Sequence, residues 1–66
     1  MRLKINGETK DNLRAATLKE LLEELGIISG RVAVEVNMAI VKRADYDAFR
    51  IKDGDVLEIV NFVGGG

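Results

Sequence analysis

Apolar and polar residues alternate from the first position. Met1, Leu3 and Ile5 are separated by Arg2 and Lys4. A period of two sends successive side chains to opposite faces, so residues 1–5 read as a strand with one buried face. Asn6-Gly7 follows, and because both residues tolerate positive φ the pair reads as a tight hairpin turn. Residues 8–13 would be the return strand, short and at a sheet edge because its side chains are mostly polar. The period then changes. Leu18, Leu21, Leu22 and Leu25 recur at i, i+3, i+4 and i+7, the leucine stripe of an amphipathic helix. Thr17-Leu18-Lys19-Glu20 forms a capping box at its start, and Lys19, Glu23 and Glu24 fall on the solvent side. Gly26 supplies a left-handed C-terminal cap. A helix of about two turns does not persist alone, so its leucines must pack on a sheet.

Alternation resumes at Arg31–Asn37, with Val32, Val34 and Val36 on one face, and Ile40-Val41 reads as a short partner strand after a turn at residues 37–39. Residues 45–49 read as a loop with one helical turn, pinned by a small satellite cluster of Tyr46 and Phe49. Asp53-Gly54 is expected to open a final hairpin turn before a last strand over residues 56–62. That strand differs from the others, because Leu57 and Ile59 share one face while Val60 and Phe62 share the other with Glu58. A strand apolar on both faces is either central in its sheet or carries an exposed contact patch. The element order predicts a small α+β domain with one helix on one sheet.

Composition narrows the chemistry. The chain has 66 residues, 47% of them hydrophobic and none of them Cys or His. One domain fits this length, with a thin stability margin that no disulfide supplements. Without Cys or His the usual zinc and copper ligands are missing, as are the usual nucleophile–base pairs. Asp45/Asp47 and Asp53/Asp55 lack the twelve-residue spacing of a calcium loop and read as turn residues, so no metal site is expected. Ser29, the only serine, also reads as a turn residue. Ten basic and eleven acidic side chains nearly cancel, against the basic excess of a nucleic-acid footprint. Lys42-Arg43 is an isolated basic pair, read as a solvated loop with partner docking as its alternative role. No segment reads as a signal peptide or membrane span, so a soluble cytoplasmic protein is expected.

Three glycines, Gly64, Gly65 and Gly66, follow the last strand after Val63. Glycine has no Cβ and can thread a narrow channel. Extended, residues 63–66 reach roughly 13 Å past the strand, enough to place a terminal carboxylate inside a partner. The sequence therefore divides into a folded body, residues 1–63, and a flexible tail, residues 64–66. An inert tail remains the alternative on these residues alone.

These residues together resemble the ubiquitin-like β-grasp sulfur carriers of the ThiS/MoaD family. The resemblance covers essentially the whole chain. It is carried by residues 3–8 (Leu-Lys-Ile-Asn-Gly-Glu), the helix Thr17–Leu22, the stretches Val34–Asn37 and Ile40–Arg43, and the ending Asp53–Gly66. The chain departs from the family at Lys42, where members often carry proline, and at Asn61, where they often carry histidine. The implied fold is a β-grasp: a mixed four- to five-stranded sheet on one short helix, with the first and last strands parallel.

The resemblance also implies a function, that of a carrier in thiamin thiazole formation which is not itself an enzyme. A ThiF-like adenylating enzyme would spend ATP to activate the Gly66 carboxylate. A cysteine desulfurase pathway would supply the sulfur that turns it into a thiocarboxylate. Thiazole synthase would then receive that sulfur, and the carrier would hold no cofactor of its own. Gly64 and Gly65 would be the tether, Val63 with Phe62 an anchor at the channel mouth, and Val60, Phe62 and Glu58 a partner-docking patch. Alternative readings are the small subunit of molybdopterin synthase, a carrier for tRNA thiolation, or a ubiquitin-like protein modifier.

Overall fold

The computed structural model describes residues 1–62. Five strands form one sheet in the order β2-β1-β5-β3-β4, with β1 at Leu3–Ile5, β2 at Glu8–Lys10, β3 at Val32–Val36, β4 at Ala39–Val41 and β5 at Val56–Asn61. The single α-helix, α1, covers Leu18–Glu24. Two antiparallel hairpins, β1–β2 and β3–β4, flank β5. β5 runs antiparallel to β3 and parallel to β1, which is the mixed pairing of the β-grasp fold.

The core lies between α1 and one face of the sheet. Leu18, Leu21 and Leu22 are buried against Leu3, Ile5, Val32, Val34, Val36, Leu57 and Ile59. β1, β3 and β5 contribute alternate residues, so their period-two pattern is the pattern of burial. The helix start is fixed as its sequence predicts. Thr17 Oγ1 accepts from the Glu20 N–H (3.2 Å), while Glu20 Oε1 accepts from the N–H of Thr17 (3.1 Å) and of Ala16 (2.8 Å). These backbone donors hold the Glu20 carboxyl below its ordinary value. Past Leu25, Gly26 takes the left-handed conformation and turns the chain out of the helix.

Four local expectations are corrected. The return strand β2 ends at Lys10 rather than Leu13, because residues 11–16 leave the edge and fold over α1, where Glu24 accepts from the N–H groups of Arg14 and Ala15. Glu24 is therefore more than a solvating charge. Tyr46 belongs to the main core rather than to a satellite cluster, with Phe49 packed against that core. The helical turn expected within residues 45–49 is present, with the Phe49 N–H donating to the Asp45 carbonyl (2.9 Å), and a 3₁₀ turn at Arg43–Asp45 leads into it. Asp53-Gly54 does form a turn, yet no hairpin follows, since β5 pairs with β3 and β1 rather than with the segment just before it. Finally, β5 stops at Asn61, one residue short.

Candidate functional site

β5 reaches the tail, so what holds β5 positions the tail's point of departure. Its two flanks are secured differently. On the β3 side a full ladder runs from Val36↔Leu57 to Val32↔Asn61, and the Phe62 N–H donates to the Arg31 carbonyl (2.8 Å) beyond it. On the β1 side the partner strand is short and pairs only with Val56 and Leu57. Asn6 extends it. Its N–H donates to the Leu57 carbonyl (2.9 Å), and its side chain then stands in for the next strand residue. Asn6 Nδ2 donates to the Ile59 carbonyl (3.0 Å) and Asn6 Oδ1 accepts from the Ile59 N–H (2.7 Å). One turn residue thus satisfies two strand groups that would otherwise lack partners.

Asn37 does a similar job at the start of β5. Its Oδ1 accepts from the Val56 N–H (3.0 Å), and its Nδ2 donates to Asp55 Oδ1 (3.0 Å). Asp55, the single buried charged residue among those described, also accepts from the Lys52 N–H (2.8 Å). Asn6 and Asn37 both sit at positive φ, which asparagine tolerates, so each turns the chain and bonds β5 together. The sequence marks both as turn residues; their bonds to β5 link positions too distant for a local pattern to reveal.

With β5 held on both flanks, its two faces have different fates. Leu57 and Ile59 are buried, while Val60 and Phe62 are each 60% exposed and Glu58 lies between Val56 and Val60 on the open face. This matches the expected exposure of Val60, Phe62 and Glu58. The open face extends beyond those three. Ala33 stands opposite Val60, and Glu35 stands opposite both Glu58 on β5 and Ile40 on β4. Ile40 is 77% exposed. The alternation of Val32–Val36 could have placed Ala33 and Glu35 on this face; Ile40 needed the register of a three-residue strand.

The result is an apolar band of Val60, Ala33, Phe62 and Ile40 crossing three strands, with two carboxylates side by side within it. Such a face, left bare by the helix, is the kind of surface that protein partners cover. Val63, Gly64, Gly65 and Gly66, the expected anchor and tether, lie outside the described residues. Among the described residues no group of three His, Asp, Glu or Cys side chains is placed to hold a metal ion. No helix among them is long and apolar enough to cross a membrane.

Comparison with known proteins extends this picture through the tail. Residues 3–66 match the ThiS family. A thiazole synthase of Paramagnetospirillum magneticum is 48% identical over 66 residues, which is all of this chain and 20% of that one. The chain thus spans about a fifth of that relative's length. The sulfur carrier protein ThiS of Bacillus subtilis is 37% identical over 65 residues, covering 97% of this chain and 98% of that one. Among solved structures, the crystal structure of the thiamine biosynthesis protein ThiS from Geobacter metallireducens superposes with a TM-score of 0.83 at 36% identity, each chain covered completely.

Proposed function

Because this chain belongs to the ThiS family of sulfur carriers in thiamine biosynthesis, we propose that its working atom is the carboxyl carbon of Gly66. In this reading a ThiF-like enzyme transfers the AMP of ATP to that carboxylate with release of pyrophosphate. A sulfur nucleophile at the sulfide level, originating in a cysteine desulfurase pathway, displaces AMP and leaves a thiocarboxylate. Thiazole synthase takes the sulfur for the thiamin thiazole, an oxygen from the acceptor or from water replaces it on the Gly66 carbon, and the carrier returns with its carboxylate restored. The carrier is a recycled co-substrate.

The observation that carries this reading is the family match through residue 66, which includes the glycines. Relatives named for sulfur carriage align over nearly their whole length. Thiazole synthase as the receiving partner is supported by relatives of that name that contain a region like this chain. The body serves the tail: Val60, Phe62 and Glu58 meet the partner, Phe62 and Val63 anchor the channel mouth, and Gly64 and Gly65 thread it.

Mass spectrometry after incubation with the activating enzyme, ATP and a sulfur source tests the reading. Exchange of one oxygen for sulfur adds about 16 Da, and deletion of Gly66 abolishes the gain. An unchanged mass with a competent activating enzyme would sink it. Adducts on lysines of other proteins would instead identify a modifier. Formation of dithiolene rather than thiazole from the thiocarboxylate form would move the carrier to the molybdopterin pathway.

A further inference from the structure

Arg43 is used by neither the fold nor the reading above. β4 stops at Val41, so Val32 and Ala33 of β3 have no β4 partner, and the chain turns away through the 3₁₀ turn at Arg43–Asp45. The gap left beside β3 is a groove of about 350 Å³, lined among others by Gly30, Val32, Ala33, Ile40, Arg43 and Phe62. Apart from the Arg43 guanidinium the side chains named here are apolar.

Two side-chain hydrogen-bond donors line this groove, and Arg43 holds the one without a partner among the described residues. The β3–β5 ladder bonds at Arg31/Phe62 and Asn37/Val56, so its alternation turns the Val32 N–H and C=O away from β5 toward the gap. The Tyr46 hydroxyl donates to the Val32 carbonyl (3.5 Å). Burial pushes the Tyr46 phenol above its ordinary value while Arg43 nearby opposes this, so the hydroxyl stays a neutral donor at physiological pH. Arg43 supplies the second donor. Its Nη1 lies 3.1 Å from where a Cβ at Gly30 would stand, so the missing side chain at Gly30 lets the guanidinium lie against that turn. No carboxylate pairs with Arg43 among the described residues. Arg31 and Lys42, both exposed, add to the positive charge beside it.

We propose, resting on the sulfur-carrier reading, that this groove seats a carboxylate-bearing apolar segment of thiazole synthase. An aspartate or glutamate of the synthase takes the Arg43 guanidinium, and an adjoining aliphatic or aromatic side chain covers Ala33, Ile40 and Phe62. Charge complementarity sets the sign of the visitor, because the Arg43 guanidinium has no carboxylate partner among the described residues. Continuity sets its identity. Phe62 belongs both to the groove and to the open face beside the tail, and relatives that carry a region like this chain are named thiazole synthase, so the synthase that receives the tail from this face also covers the groove.

Calorimetric titration of the full chain into purified thiazole synthase from the same organism tests this. Arg43→Gln weakens binding by about tenfold, and the wild-type affinity falls with added salt more steeply than that of the variant. Arg43→Lys keeps the charge but loses the planar fork, and falls between the two. Lys52→Gln, an equal loss of charge on another loop, binds as wild type does. Arg43 is exposed, so matching unfolding midpoints for the variants exclude a folding defect as the cause. Equal binding by Arg43→Gln and wild type overturns the proposal, as does a loss confined to the activating enzyme. A wild-type carrier that gains sulfur yet does not bind the synthase also overturns it. One that gains no sulfur strikes the carrier reading itself.

Discussion

The two faces of β5 carry similar amounts of apolar side chain and do different work. On the inner face Leu57 and Ile59 meet the leucines of α1 and are buried. On the outer face Val56, Val60 and Phe62 meet nothing and stay exposed. Period-two alternation alone does not separate the faces, because both read as hydrophobic. What separates them is supply, since the described residues include one α-helix, of seven residues, to cover a five-stranded sheet. A domain this small has a thin margin, so leaving an apolar face bare is a cost that association with a partner offsets.

Substitutions should split along this line. Leu57→Ala, at a position with no solvent exposure, lowers stability by about 3 kcal/mol in urea unfolding. A loss below about 1 kcal/mol would erase the distinction between the faces. Asn6→Ala strands the N–H and C=O of Ile59 and costs about 2 kcal/mol. Hydrogen exchange at the Ile59 amide then accelerates; unchanged protection there would show that water replaces the side chain without penalty.

The capping box of α1 gives a pH signature on the covered side. The Glu20 carboxyl is held below its ordinary 4.5 by the N–H groups of Ala16 and Thr17, so its contribution is fully present above that value and is lost as pH falls through the folded-state value. Glu20→Gln therefore removes part of the acid-induced weakening, which circular dichroism melts between neutral pH and pH near 3 would detect. On the open face, Glu35→Gln relieves two like charges placed directly opposite and raises stability by a few tenths of a kcal/mol. Phe62→Ala changes stability least, by under about 0.5 kcal/mol, yet weakens partner association measurably. A stability loss of several kcal/mol would instead place Phe62 in the core.

Much of this was legible in the sequence because it is local. The leucine stripe and the capping box gave α1 and its start, and the alternation of Val32, Val34 and Val36 gave β3 with its buried face. The double character of β5 left two readings open, a central place or an exposed patch, and the strand has both. Long-range pairing was not legible in the same way. Nothing near Asp53-Gly54 says that β5 passes over its neighbouring segment to join β1 and β3, and the parallel pairing came through the family resemblance. Tyr46 entered the core because of how its loop folds back rather than through any periodicity. The groove at Arg43 depends on β4 ending early, on an open strand edge and on a glycine 13 positions upstream, three facts that meet only in space.

The Asn6 side chain has a consequence in time as well as in space. Its two bonds to Ile59 span 53 positions, so the launching end of β5 is braced only when the two ends of the fold have found each other. Contacts of such long sequence separation form late, because the intervening loop must be closed first. As a ribosome extends the chain, residues 57–59 emerge after nearly all of the remaining body, and the first hairpin must wait for them. The tail's point of departure is thus completed among the last steps of folding, so a carrier that holds its tail firmly is one whose body has already been assembled.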